Sequence, residues 1–323
     1  MKKLLICLLA LALLTGCAAK TAEPTEDAQE PAAQTQEDAE EENYNTGDAS
    51  LDDPRNQDDI GERELLVVSF GTSYNDSRRL DIGAVEEALS EAFPKWSVRR
   101  AFTSQIIIDH VRERDGEVID NVGEALERAV ENGVKQLVIQ PTHLMNGLEY
   151  EELERELANY ADAFESVNIG SPLLTSDEDF DAVADAIVEA TKEYDDGRSA
   201  IVFMGHGTEA ASNSVYERMQ GVLRSKGMVN YYIGTVEAYP DVHSVLANVA
   251  AGDYRRVVLR PLMVVAGDHA NNDMAGDDKD SWRSVFETAE YRVTCVLEGL
   301  GSVEAIQELY IAHAQEAIDA LED

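Results

Sequence analysis

Cysteine is nearly missing from this chain of 323 residues: Cys7 and Cys17 lie near the start, and Cys295 stands alone in the rest. One remaining thiol builds neither a disulfide framework nor a thiolate metal cage. Cys295 lies in the apolar run VTCVL (293–297) and reads as a buried strand residue. Positive charge is also scarce. Lys and Arg number 26 against 64 Asp and Glu, a formal net charge of −38. Nucleic acid is therefore not an expected partner, because binding to its phosphates needs a basic footprint. Long apolar runs are missing too, apart from residues 4–14, which are too short to span a bilayer stably. No GxxxxGK[ST] loop is present, so no nucleotide is expected. Ser69, Thr72 and Ser73 form no nucleophile elbow.

The start of the chain carries a different signal. Lys2 and Lys3 precede the apolar run, which ends in Leu14-Thr15-Gly16-Cys17. This looks like a lipoprotein signal peptide (1–16) with Cys17 as the lipidated residue. The expected location is extracytoplasmic, lipid-anchored to a bacterial membrane. Residues 17–63 are rich in Glu, Asp, Gln, Ala, Thr and Pro and poor in large apolar residues. Such a segment buries too little surface to offset its ordering entropy and is expected to be an acidic, disordered tether.

From residue 64 onward the pattern alternates. Apolar runs such as ELLVVSF (64–70), QLVIQ (136–140) and AIVFM (200–204) suit parallel strands covered on both faces. Further strands are expected at 98–102, 167–169, 231–235, 256–262 and 292–296. Stretches with helical spacing separate them, at 82–93, 119–132, 149–164, 177–194, 208–225, 242–250, 281–290 and 303–321. Repeated strand–helix units predict parallel sheets with helices on both faces.

The sequence also echoes itself. LLVVSFGTS (65–73) matches AIVFMGHGT (200–208), each running into Gly-Thr, so Phe70 faces His206. LVIQPTHLMNGLEYEE (137–152) matches VVLRPLMVVAGDHANND (257–273), so Glu149 faces His269. The predicted fold is α/β, with two similar Rossmann-like (flavodoxin-like) halves, 64–197 and 198–323, facing across a cleft. Ligands of open α/β sheets sit beyond the carboxyl ends of the strands, where His206, Glu149 and His269 fall.

Two imidazoles and a carboxylate suit a divalent metal of the cobalt, nickel, iron or zinc type. They equally suit proton abstraction near neutral pH. A calcium loop around His269 fits poorly, because Ala270 and Met274 interrupt the oxygen ligands and the bidentate glutamate is missing. Asp277, Asp278 and Asp280 read as solvating acids ahead of the next helix. Of the other histidines, His143 follows a strand and could line the cleft. His110 and His313 lie on helical stretches, and His243 opens one.

Seven blocks resemble one known family: VVSFGTS (67–73), RAFTS (100–104), RERDG (112–116), HLMNGLEYE (143–151), VFMGHG (202–207), VEAYP (236–240) and PLMVVAGDHANNDMAGDDKDSW (261–282). They look like the anaerobic sirohydrochlorin cobaltochelatases of the CbiK type, class II chelatases of two flavodoxin-like halves. The resemblance runs in order over residues 64–323. It implies ATP-independent insertion of Co²⁺ into a tetrapyrrole on the route to cobalamin. Ni²⁺ and Fe²⁺ are further metals the same donors accept. It also implies Glu149, His206 and His269 as metal ligands and catalytic groups. Arg100, Arg112 and Arg114 in the family-like blocks, with His143, are candidates for binding the substrate carboxylates. The usual enzyme is cytoplasmic, whereas the leader places this chain outside. The alternative expectation is therefore a non-catalytic surface carrier of haem, corrinoid or metal that passes its load to a transporter.

Overall fold

The computed structural model describes residues 46–321. The leader and Cys17 lie outside the described residues. Eight strands form two parallel sheets of four. The first contains β1 (Arg63–Ser69), β2 (Ser97–Phe102), β3 (Gln136–Pro141) and β4 (Ser166–Ile169), in spatial order β2-β1-β3-β4. The second contains β5 (Ser199–Gly205), β6 (Tyr231–Thr235), β7 (Arg256–Pro261) and β8 (Arg292–Cys295), in the matching order β6-β5-β7-β8. β1 is buried at every residue except Arg63, as its unbroken apolar run requires. All eight expected strands are present.

In the first half α1 (Asn75–Ser77) passes through a π turn (Arg78–Ile82) into α2 (Gly83–Ala92), and α3 (Gln105–Asp115), α4 (Val122–Glu131), α5 (Leu148–Ala158) and α6 (Asp177–Ala190) follow. The second half carries α7 (Ser214–Ser225), α8 (Val242–Ala250), α9 (Trp282–Thr288) and α10 (Glu304–Asp319). Helix α3 was expected only as an unbounded helical stretch around His110. Side-chain oxygens define several starts: Asn121 and Ser176 form capping boxes with Glu124 and Asp179, and Asp241 caps α8.

The two sheets share one core. Leu65 and Val67 of β1, Ile201 and Phe203 of β5, Phe180 of α6 and Tyr310 of α10 belong to a single buried cluster. Each such side chain contributes about 1.5–3 kcal/mol through burial. The outer face of the first sheet is covered by Leu126, Leu153 and Leu157 of α4 and α5. That of the second is covered by Val245 and Phe286 of α8 and α9. Helix α10 follows β8 in sequence yet packs on α2, α6, β3 and β4 of the first half. Tyr310 Oη donates to Thr142 O at 2.9 Å, and Asn168 Nδ2 donates to Ala317 O at 3.1 Å. His313 lies between Ser171 O and Asp179 Oδ1, at 3.1 and 3.0 Å, and is a packed residue of this interface.

The register fixes which residues correspond between the halves. Val68 pairs with Pro141, and Met204 with Pro261. Counting outward from these pairs places Phe70 at the position of His206, and Glu149 at that of His269. The echo in the sequence is therefore an echo in space.

One expectation is corrected. The tether was expected to run to residue 63, but residues 46–62 lie along the first half. Asp52 accepts from Arg78 Nε at 2.7 Å and from Arg100 Nη1 at 2.6 Å. Ser97 Oγ donates to Ile60 O at 2.7 Å, and Arg100 N donates to Arg55 O at 3.2 Å. Buried charge, rather than apolar burial, holds this segment, so its polar composition gave no sign of it.

Candidate metal centre

His206 leaves the end of β5 between two glycines that packing demands. A Cβ at Gly205 would stand 2.1 Å from the Tyr216 ring, and one at Gly207 would stand 2.8 Å from Thr235 Cβ. Gly207 also has φ of +90°, a region that favours glycine. The turn is pinned on both sides. Tyr216 Oη accepts from Gly207 N at 3.2 Å, and Glu237 N donates to His206 O at 2.8 Å. The His206 side chain is exposed.

His269 opens the π turn Ala270–Met274 beyond β7. Its ring lies edge-on to that of His206, with centroids 4.7 Å apart and planes at 82°. Each Nδ1 faces an acceptor: Gly207 O at 2.8 Å from His206, and Asp273 Oδ2 at 2.7 Å from His269. A carbonyl and a carboxylate can only accept here, so each Nδ1 carries a proton, and in the neutral imidazole each Nε2 keeps its lone pair. This is the tautomer a metal needs. Asp273 stands four residues after His269, one turn along. Asp268, His269 and Asp273 also bring ligand atoms within 4.8 Å of one another. Tyr74 Oη donates to Asp268 at 3.3 Å, and Asn272 donates to the same oxygen. Burial would lower the His269 imidazole, but the hydrogen bond and charge of Asp273, with Asp268 and Glu237, outweigh it and raise it above the usual value.

Glu149 stands in the first turn of α5, exposed, where the helix dipole favours a carboxylate. Its charge reaches both the His143 ring and the Tyr216 hydroxyl, which holds the turn beside His206. The loops of the two halves meet here. A Cβ on Gly147 would lie 3.9 Å from Ser212 Oγ, and one on Gly267 would lie 3.2 Å from Thr72 Oγ1.

His143 lies in the loop between β3 and α5. Both its ring nitrogens are buried without a hydrogen-bond partner among the described residues. Burial pushes this imidazole down to about 4, and the charge of Glu149 restores only part of the loss. It is a neutral, unpartnered imidazole near neutral pH.

The three arginines do not form a set. Arg100 is fully buried, and its guanidinium is shared between Glu86, at 2.8 and 2.7 Å, and Asp52. No surface remains for a substrate, so the expectation of a substrate contact is corrected: its charge serves the fold. Arg114 is likewise taken up by the fold: Nε and Nη2 donate to Asp115 at 3.0 and 2.6 Å, Nη2 also reaches Ser73 O at 2.7 Å and Asn75 Oδ1 at 3.0 Å, and Nη1 is buried. Arg112 is exposed on α3, 3.6 Å from Asp109. Sequence reasoning assigned no role to Asp273 or Asp268. The i, i+4 spacing of His269 and Asp273 on one helical turn was the available signal.

Comparison with known proteins bears on this geometry. A family model described as cobalt chelatase (CbiK) matches residues 63–319. A sirohydrochlorin cobaltochelatase of Salmonella typhimurium is 37% identical over 257 residues, covering 80% of this chain and 97% of the relative. The sirohydrochlorin cobaltochelatase CbiKC of Nitratidesulfovibrio vulgaris is 31% identical over 261 residues, covering 80% and 92%. Among solved structures, SirB from Bacillus subtilis with Fe³⁺ is similar with a TM-score of 0.57 at 13% identity, covering 80% of this chain and 97% of that one. The sirohydrochlorin chelatase SirB from Bacillus subtilis subspecies spizizenii in complex with cobalt gives 0.56 at 14% identity, covering 81% and 97%. At these identities the two structures show the fold, two parallel-sheet halves.

Proposed function

The chain belongs to the cobalt chelatase (CbiK) family, and from that premise we propose that it inserts Co²⁺ into sirohydrochlorin without ATP, at the cleft lined by His206, His269 and Glu149. The observation that carries the reading is the pair of imidazoles 4.7 Å apart, each with Nδ1 already engaged. Two Nε2 lone pairs then replace water on the incoming metal. Glu149 adds a carboxylate from the other half and offsets part of the charge. The macrocycle gives up two pyrrole protons as Co²⁺ enters, so the products are cobalt-sirohydrochlorin and two protons. His206 and Glu149 accept protons as the metal leaves them. Asp273 keeps the His269 ring oriented and electron-rich throughout.

The charge distribution divides the two substrates. A net charge of −38 draws in cations and opposes a polycarboxylate. Local donors must hold the macrocycle, and the exposed Arg112 and the cleft-side His143 are the groups we assign to it. Ni²⁺ and Fe²⁺ remain substrates the donor set accepts.

Our reading places the enzyme outside the cytoplasmic membrane, lipid-anchored through Cys17, with a metal or corrinoid transporter as its neighbour. Support comes from the Leu14-Thr15-Gly16-Cys17 signal behind a short apolar run. Metabolic labelling with a fatty acid marks the wild type and not Cys17→Ala; equal labelling rejects the anchor. That address also supports a second reading, a carrier that holds haem, corrinoid or metal in the same cleft without turnover.

One assay separates the two. The protein is mixed with sirohydrochlorin and Co²⁺, and the absorbance change is followed beside a His206→Ala, His269→Ala double variant. Insertion faster than the metal-only blank, lost in the variant, supports the enzyme. A wild type no faster than the blank rejects it, and tight tetrapyrrole binding without turnover supports the carrier.

A further inference from the structure

We propose that Asp81 is the positioning residue of the metal site: from the first half it fixes the loop that carries His269 in the second. The inference rests on the reading of His269 as a metal ligand. Asp81 lies in the π turn Arg78–Ile82 and is 2% exposed. Its Oδ2 accepts from Ala266 N at 2.8 Å, and its Oδ1 accepts from Gly299 N at 3.2 Å. One turn earlier on the same face, Ser77 Oγ donates to Ala266 O at 2.7 Å. Both polar backbone atoms of Ala266 are thus held by one first-half helix, three residues before His269. The loop then folds back on the same point, as Asn271 Nδ2 donates to Gly267 O at 2.8 Å and to Ala266 O at 3.3 Å.

The neighbouring backbone is shaped around this carboxylate. A Cβ on Gly299 would stand 2.5 Å from Asp81 Oδ2 and 2.3 Å from Val264 O. One on Gly301 would stand 2.4 Å from Asp81 O. Only glycine allows the approach. Asp81 forms no ion pair among the described residues, and its nearest cationic influence, Arg260, acts through charge alone. Burying a carboxyl group without a counter-ion costs stability that an apolar residue would not. Two directed hydrogen bonds to the loop are what it provides in return. π turns recur at functional sites, and this one aims an acid across the boundary between the halves.

The test uses the full chain as wild type, Asp81→Asn, Ser77→Ala and Glu64→Gln, the last removing a buried carboxylate on β1 far from Ala266. Two readouts are taken well below the unfolding temperature: the Co²⁺ dissociation constant from an absorbance titration, and deuterium uptake by residues 263–274. Loss of a group bonded directly to a metal ligand weakens binding by about 10-fold or more; Asp81 acts on His269 through the loop, so Asp81→Asn is expected to weaken binding by up to about 10-fold together with faster exchange in that segment. Ser77→Ala moves both in the same direction by less, and Glu64→Gln moves neither. The proposal is overturned if Asp81→Asn leaves either readout within twofold of wild type, or if Glu64→Gln shifts both equally. Should Asp81→Asn not fold, Ser77→Ala decides on the same two readouts. If the His206→Ala, His269→Ala variant binds Co²⁺ as tightly as wild type, the metal reading fails instead, while deuterium uptake still reports on the clamp.

Discussion

The two halves share a frame and divide the chemistry. Their sheets have the same strand order and matching registers. Yet Leu66 and Val67 pair with Arg99 and Arg100, where Val202 and Phe203 pair with Tyr232 and Ile233. The first half buries guanidinium and carboxylate groups, with Glu64, Arg78, Arg99 and Arg100 all fully shielded. The second half has the half-buried Tyr232 and the buried Ile233 there, with no charge, and carries its charged chemistry at the strand ends. At the corresponding cleft positions the first half has Phe70 and Glu149, and the second has His206 and His269. Duplicated frames tolerate this because the strand run holds the shape while the residues just beyond it are free to vary.

The largest expected effect lies at the imidazoles. His206→Ala or His269→Ala should lower the rate of metal insertion by about 10²–10⁴-fold, the range for a positioned proton-handling group, while denaturant unfolding barely changes. A variant with near-normal turnover would remove the chemical difference between the halves.

Next comes the buried charge of the first half. Arg100→Ile gives β2 the residue found at the matching position of β6 and leaves Glu86 and Asp52 without their cation. Removing one member of a buried ion network costs about 3–5 kcal/mol. Chemical denaturation should show that loss, and adding Glu86→Leu should recover part of it. A loss under about 1 kcal/mol, the worth of an exposed pair, would mean the network is merely decorative.

Much of this was readable in advance, for identifiable reasons. Strands β1, β3, β5 and β7 have short continuous apolar cores, which, alternating with helical stretches, point to parallel strands covered on both faces. The Gly-Thr and Gln-Pro/Arg-Pro junctions aligned the halves correctly, which brought His206, His269 and Glu149 to one end of the fold. Four features were hidden. The extent of helix α3, QIIIDHVRERD, was not legible beyond His110, because it is too charged to stand out by apolar pattern. The segment 46–62 is held by Asp52 on Arg78 and Arg100, and a carboxylate in sequence does not reveal its partner. Arg100 itself resembled a substrate contact because its block is family-like, and burial cannot be read from one residue type. The crossing of α10 onto the first sheet depends on long-range packing that local spacing does not encode.

A pH series probes the imidazole of the first half. His143 is held down to about 4 by burial, with Glu149 restoring part. Its unfolded value is near 6.5, so the unfolded chain binds this proton first as pH falls. The contribution is therefore intact above 6.5 and is lost between 6.5 and about 4, at about 1.4 kcal/mol per pH unit. His143→Gln should lose less stability than wild type between pH 7 and 4.5. Parallel curves would contradict the burial. His269 behaves oppositely, since its raised value makes its contribution strongest at low pH and weaker as pH rises through its folded value.

The smallest effect is expected from copying chemistry into the first half. Phe70 is 45% exposed at the position matching His206. Phe70→His should change unfolding by no more than about 0.5 kcal/mol, as surface substitutions do. A large loss would show that Phe70 packs as core.

The decisive observation is the ligand shell of Co²⁺ on the protein, read by X-ray absorption at the cobalt edge. The account predicts two imidazole nitrogens and at least one carboxylate oxygen in wild type. One imidazole should disappear in His206→Ala, another in His269→Ala, and only the carboxylate should change in Glu149→Gln. A shell of oxygen atoms alone, or one unchanged by His206→Ala and His269→Ala, would contradict it.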